Sequence, residues 1–232
     1  EKWVKKQQPG YELIKAPTAS NPFLPDGYIE QIKANYDSLL ADLYLNGEFV
    51  SLNDKKVYHF FSREQHHTSR KIEATDKYLY IGIDFNIGGC VAIVAVIEDS
   101  KPIIVDEFVS HDTQDFVNNL AARYPDKQIL VYPDATGKSN RTNAVASDIA
   151  IIENAGYYCD YDKTNPAIRD RVNTVNGLLS HDRVKINTDM CPDLTNALEV
   201  QGYDKHGMPE KFNEHPALDD FTDSFGYLAH GR

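Results

Sequence analysis

Tyr78-Leu-Tyr-Ile-Gly-Ile-Asp-Phe-Asn-Ile-Gly-Gly-Cys-Val-Ala-Ile-Val-Ala-Val-Ile97 decides the fold. Tyr78–Ile83 reads as a continuous strand ending in Asp84, Asn86-Ile-Gly-Gly89 as a turn, and Cys90–Ile97 as a second strand. Moving outward, Pro102–Phe108 supplies a third strand. The spacing of Phe116, Leu120 and Ala121 predicts a helix over Thr113–Tyr124, and Lys127–Tyr132 is a short buried strand ending at Pro133-Asp134. Ala144–Asn154 reads as a helix closed by Gly156, Tyr157–Tyr161 as another short strand, and Asn165–Leu179 as another helix. A final helix runs from Pro216 to about His230, with Leu218, Phe221, Phe225 and Leu228 as its buried stripe.

Three antiparallel-type strands, then helix-strand units, then a last helix match the ribonuclease H-like layout, an α/β fold with a mixed sheet flanked by helices. The stretch from Asn187 to Asn213 is an irregular insertion. It carries a short helix within Asp189–Leu198 and, over Val200–Phe212, the glycine spacing of an added β-hairpin with Lys205, His206 and Lys211 at or near its tip. Residues 1–70 differ in texture. Pro9-Gly10, Pro17, Asn21-Pro22 and Pro25-Asp26-Gly27 break them repeatedly, and one amphipathic helix capped by Asp26 is expected over Gly27–Leu45. That segment reads as a linker or the tail of a preceding domain, and residues 71–232 as the folded domain.

Bulk composition sets bounds. A chain of 232 residues with 41% hydrophobic content can build a substantial core without covalent staples. The longest apolar run, Cys90–Ile97, is too short to span a bilayer, so no membrane association is expected. Three cysteines, Cys90, Cys159 and Cys191, lack paired spacing and indicate neither disulfides nor zinc. The net charge of −11 argues against generic phosphate affinity unless part of the acid serves to hold cations.

The acids fall where such a role needs them. Two-metal phosphodiester hydrolysis requires three or four carboxylates converging on cations about 4 Å apart, and magnesium or manganese demands oxygen ligands. In a ribonuclease H-like sheet the first acid lies on the first strand, the second ends the fourth strand, and the rest project from the last helix. Asp84, Asp134 and the group Asp219, Asp220 and Asp223 occupy those stations. Carboxylates on one helix face repel unless a cation lies between them. Each acid also has a plainer account, as turn chemistry for Asp84 and Asp134 and as dipole complement for Asp219. Gly137-Lys-Ser139 lacks the first glycine of a phosphate-binding loop, since Tyr132 stands there. Lys138, Arg141, Arg183, Lys185, Lys205 and Lys211 are candidate DNA-phosphate contacts, and His66, His67 and His181 read as ordinary surface residues.

Asn21-Pro-Phe-Leu-Pro-Asp-Gly-Tyr-Ile-Glu30, Leu45-Asn-Gly-Glu-Phe49, Gly82-Ile-Asp-Phe-Asn86, Val131-Tyr-Pro-Asp-Ala-Thr-Gly-Lys-Ser139 and His215-Pro-Ala-Leu-Asp-Asp-Phe-Thr-Asp-Ser-Phe-Gly-Tyr227 resemble terminase large subunits of tailed bacteriophages. The resemblance runs over nearly the whole chain, without the Walker motifs. It implies a carboxy-terminal nuclease domain preceded, over residues 1–70, by the tail of an ATPase domain and a linker. It further implies a Mg²⁺- or Mn²⁺-dependent endonuclease using two ions to cut double-stranded DNA with little sequence preference. Asp84 would bridge the ions, Asp134 would hold one, and Asp220 and Asp223 would complete the shell, with Asp219 in reserve. Portal protein and terminase small subunit are the implied partners, in the host cytoplasm and transiently at the procapsid. Two other classes remain open. Ile81–Ala92 also resembles the first phosphate loop of actin and sugar-kinase phosphotransferases, and the chain would alternatively serve as a catalytically silent docking module of the motor.

Overall fold

The apolar run of the quoted stretch is buried on both faces because its residues alternate between two cores. The computed structural model describes residues 16–35, 45, 56–86, 88–135, 147–213 and 216–231. In it β1 (Tyr78–Asn86), β2 (Gly89–Glu98) and β3 (Lys101–Ser110) form an antiparallel meander. Ala92, Val94 and Val96 of β2 face one hydrophobic cluster, whereas Val91, Ile93 and Ala95 face another. Successive strand residues point to opposite sides, so a strand without a polar face must lie between two covering layers. Asp99 and Ser100, with φ of 47° and 64°, make the tight turn between β2 and β3.

β4 (Gln128–Pro133) runs parallel beside β1, β5 (Tyr158–Cys159) parallel beside β4, and β6 (Lys185–Ile186) parallel beside β3. The resulting order is β5-β4-β1-β2-β3-β6. Among the described residues the helices are α1 (Tyr28–Asn35), α2 (Arg63–His66), α3 (Thr113–Arg123), α4 (Asp148–Asn154), α5 (Ile168–Ser180), α6 (Pro192–Val200) and α7 (Leu218–Gly231). Phe116 and Leu120 of α3, with Ile149 and Ile152 of α4, cover Leu79, Ile81, Ile83 and Val131 on one side. On the other side α5, α6 and α7 bury Val175, Leu194, Phe221 and Phe225 against Ile93, Ile104 and Tyr132. This is the expected mixed sheet flanked by helices.

Local chemistry explains where the helices begin. Asp112 caps α3 by accepting from Asp115 N at 2.8 Å, and Ser147 caps α4 by accepting from Ala150 N at 3.2 Å. Cys191, ahead of α6, offers no side-chain cap. Glu107 of β3 does so instead, accepting from the backbone N–H groups of Asp193 (2.7 Å) and Leu194 (2.9 Å). Burial pushes its carboxyl up to about 7 against the pull of those two donors.

Several elements differ from the sequence expectation. β6 has no periodicity to announce it, being two residues joined to β3 and followed by Asn187 N donating to Ile104 O at 2.8 Å. The hairpin over Val200–Phe212 shrinks to one bridge, Tyr203 to Pro209, because α6 runs through Val200 and a turn at Asp204–Gly207 takes up most of what remains. The described part of the 144–154 helix starts at Asp148; residues 144–146 lie outside the described residues. So do residues 36–44 of the helix expected over Gly27–Leu45.

The chain divides into two compact units, Glu1–Ser51 and Leu52–Arg232. In the first, Ile29, Ile32 and Leu45 cluster. In the second, Val57 and Tyr58 are buried, Lys56 bridges Gly202, and His67 bridges Ile186. His66 is wholly buried, with Nδ1 accepting from Ser62 N and Nε2 donating to Leu179 O, both at 3.0 Å, so it is a structural tie and not a surface residue. All three cysteines are buried, and burial pushes the Cys90 and Cys159 thiols up to about 12. No described helix is long and apolar enough to cross a membrane.

Candidate active site

Strand parity brings the acids together. Leu79, Ile81 and Ile83 of β1 belong to the α3–α4 face, so Tyr80, Gly82, Asp84 and Asn86 point to the α7 face. Gly82 lets α7 approach: a Cβ there would lie 2.0 Å from Ser224 O and 2.8 Å from Leu228 Cβ. Ser224 Oγ also donates to Val91 O at 2.9 Å, fixing the helix over β1 and β2. The first turns of α7, with Asp219, Asp220 and Asp223, are thereby set near Asp84.

The parallel register of β1 and β4 supplies the next acid. Ile83 pairs with Pro133, and Asp134 N donates to Ile83 O at 3.0 Å. Parallel strands end on the same side of the sheet, so Asp84 and Asp134 emerge as neighbours. Asp84, Asp134, Asp219 and Asp220 are buried, and the Asp223 side chain keeps 19% of its surface.

Each carboxylate has a distinct set of contacts. Asn86 donates to Asp84 Oδ2 at 2.8 Å and also hydrogen-bonds Asp220, linking strand to helix. Asn165 donates to Asp134 Oδ1, while its own Oδ1 accepts from Ala135 N at 2.7 Å. Asp220 accepts from Ala217 N at 3.0 Å, closing the start of α7. Asp219 accepts from Phe212 N at 2.9 Å and pairs with Lys211 at 2.6 Å. Asp223 is held by two cations, Arg171 Nη1 on Oδ1 at 3.0 Å and Lys211 Nζ on Oδ2 at 2.8 Å. The Arg171 guanidinium lies over the Tyr227 ring, 4.3 Å from its centroid.

The electrostatics follow. Burial, then Asp223, Asp220 and Asp134, push Asp84 up to about 8, with Lys211 opposing. Burial also raises Asp220, aided by Asp219 and opposed by the Ala217 N–H, Asn86 and Lys211. Burial disfavours the Lys211 ammonium, yet Asp223 and Asp219 outweigh it and raise its affinity for the proton. Acids that raise one another in low dielectric are relieved by a cation, and carboxylate oxygens suit magnesium or manganese. The donor set therefore fits such ions in kind. Among the described residues no three Asp, Glu, His or Cys side chains already stand as a cage; amide and cationic groups hydrogen-bond the acids instead.

Of the residues predicted from sequence, Asp84, Asp134, Asp220 and Asp223 gather at one end of the sheet, and Asp219 joins them through Lys211. Lys185 lies elsewhere, on edge strand β6, donating to Gln65 O at 2.8 Å and Asp182 Oδ1 at 2.6 Å. Arg183 and Lys205 are exposed, and Lys138 and Arg141 lie outside the described residues. Sequence reasoning missed Asn86, Asn165 and Arg171, and did not connect Lys211 with the acids. Asn86 had a signal, standing two positions after Asp84 on the same strand face. Arg171 had one too, a charge within the stripe Ile168, Val172, Val175 and Leu179. Asn165, in a loop before Pro166, had none.

A mixed sheet of this order, with acids at the ends of adjacent parallel strands and on the covering last helix, defines the ribonuclease H-like class. A family model described as the terminase RNaseH-like domain matches residues 81–230, and the chain belongs to that family. Among solved structures, the large terminase of a thermophilic bacteriophage, solved also in complex with ADP, is similar at TM-score 0.66 and 15% identity, over 90% of this chain and 52% of that one. The P22 large terminase nuclease domain gives 0.57 and 17%, over 76% and 92%. The large terminase nuclease of thermophilic phage G20c with bound magnesium gives 0.54 and 14%, over 78% and 98%. The chain thus spans about half the length of the first of these proteins. No curated protein sequence matches it.

Proposed function

We propose that residues 71–232 are a divalent-metal-dependent endonuclease that cuts double-stranded DNA during viral genome packaging, and that residues 1–70 are the tail of an ATPase domain with its linker. The observation that carries this reading is the meeting of Asp84, Asp134 and Asp220 on one face at one end of the sheet, with Asn86 bonded to two of them. The P22 and G20c relatives are nuclease domains, and the G20c one holds magnesium. The family match favours this over the phosphotransferase alternative.

Asp84, Asp134, Asp220 and Asp223 would hold two ions, magnesium or manganese. Bound, such ions stabilise the charge that develops on a scissile phosphate and lower the pKa of an attacking water. The chain's own residues orient the carboxylates. Asn86 aligns Asp84 with Asp220, Asn165 fixes one oxygen of Asp134, and Arg171 fixes one oxygen of Asp223. Lys138, Arg141 and Lys205 are proposed backbone-phosphate contacts, which favours weak sequence preference. Lys185 is engaged on a distant strand and Lys211 with the acids, so neither is a free phosphate contact in this arrangement. Portal protein and small subunit are the proposed partners of the full-length motor.

Asp84→Asn or Asp134→Asn tests the site in a plasmid-cutting assay with manganese. Cutting is expected to fall at least ~1000-fold, since several kcal/mol of charge stabilisation is lost. Undiminished cutting by either variant rejects the assignment.

A further inference from the structure

Lys211 puts an ammonium on an acid pair of α7. Its Nζ stands 2.6 Å from Asp219 Oδ2 and 2.8 Å from Asp223 Oδ2. The segment that delivers it folds back on itself, with Glu210 N donating to Gly202 O at 2.9 Å. Its root is wired to α7 through buried Gln201, which accepts from Thr222 Oγ1 at 2.9 Å and donates to Glu210 O at 3.0 Å. Its far end is pinned by Phe212 N on Asp219 Oδ1 at 2.9 Å. A cavity of about 560 Å³ lies beside it, bounded by Ile168, Met208, Phe212 and Asp223.

Asp223 therefore bonds two cations of different standing. Arg171, 6% exposed, is permanently charged and cannot leave without uncovering a buried guanidinium. Lys211, 60% exposed, sits on a flexible stem with water at hand to receive it. One oxygen of Asp223 is thus fixed, and the other is held by an exchangeable charge.

We propose that Lys211 is a placeholder for a divalent ion, occupying Asp223 in the ion-free protein and leaving as the ion is taken up. Ion loading and loosening of residues 201–212 are then one linked equilibrium, and each shifts the other by the same factor. The inference rests on the reading of Asp223 as an ion ligand. It adds that ion affinity is held down by a contact within the chain.

The test is calorimetric titration of Mg²⁺ into the whole chain without DNA, for wild type, Lys211→Gln and Lys211→Arg. Lys211→Gln is expected to bind about tenfold more tightly, as follows if the closed contact is populated about nine times in ten. Lys211→Arg, which keeps a cation, is expected within about threefold of wild type. Amide exchange supplies a second readout: Mg²⁺ should speed exchange across 201–212 in wild type and leave it unchanged in Lys211→Gln. Equal affinity of wild type and Lys211→Gln overturns the placeholder and leaves the ligand reading intact. No uptake by either protein defeats the ligand reading, and the placeholder with it.

Discussion

Asp84 and Asp223 belong to one acidic cluster, yet the molecule treats them in opposite ways. Asp223 is clamped between Arg171 and Lys211, so its charge is answered from within the chain. Asp84 is more deeply buried, its hydrogen-bond donor is the neutral Asn86, and the nearest strong influences on it are other carboxylates. The charge of Asp223 is answered by two cations and, among the described residues, that of Asp84 by none. A site that must accept cations needs such an unsatisfied acid, and it also needs the others held in place until the ions arrive.

Separating the two halves should have the largest effect. The two halves meet because α7 lies directly on β1 at Gly82, where a methyl group would meet the Ser224 carbonyl at 2.0 Å. A backbone atom cannot swing aside as a side-chain tip can, so Gly82→Ala must lift the helix from the sheet. Loss of about 4 kcal/mol or more of stability is expected, measured by urea unfolding. Stability within about 1 kcal/mol of wild type would mean that α7 does not hold Asp220 and Asp223 against β1 as described.

Next comes removal of the buried cation. Arg171→Met keeps the apolar bulk but leaves Asp223 with Lys211 alone and strips the guanidinium from the Tyr227 ring. Breaking a buried pair from one side is expected to cost about 3 kcal/mol. Arg171→Lys should recover only part of it, because an ammonium is not a planar group that stacks on the ring. Full recovery by lysine would show that charge alone matters there.

The same contrast explains what the sequence could reveal. Asp84 and Asp134 were legible because each closes an apolar strand beside turn residues, and the α7 acids because they sit on a strongly periodic helix. The sheet was legible through the two-sided burial of β2. β6 was not, since two residues carry no period and their pairing is decided by Ile104 across a long gap in sequence. Arg171 and Lys211 were opaque for a related reason. A cation's partner is chosen by the tertiary approach of α5 and of the 201–212 segment to α7, and no local spacing encodes that approach. The expected hairpin is shorter than its sequence span because two local preferences competed, and the helical preference of α6 took its first residue.

A pH-dependent change in stability bears directly on Asp84. Its carboxyl titrates at about 8 in the folded chain against an ordinary 3.8, so the folded state binds this proton more tightly than the unfolded state. The contribution is fully present below about 4 and is lost as pH rises through about 8. In EDTA, Asp84→Asn should therefore match wild type near pH 4 and exceed it at pH 9 by several kcal/mol, because the amide never ionises. Added Mg²⁺ should reverse that order, stabilising wild type through the charge the variant lacks. A variant that follows wild type across the whole pH range would place the unsatisfied charge on another acid, Asp220 being next.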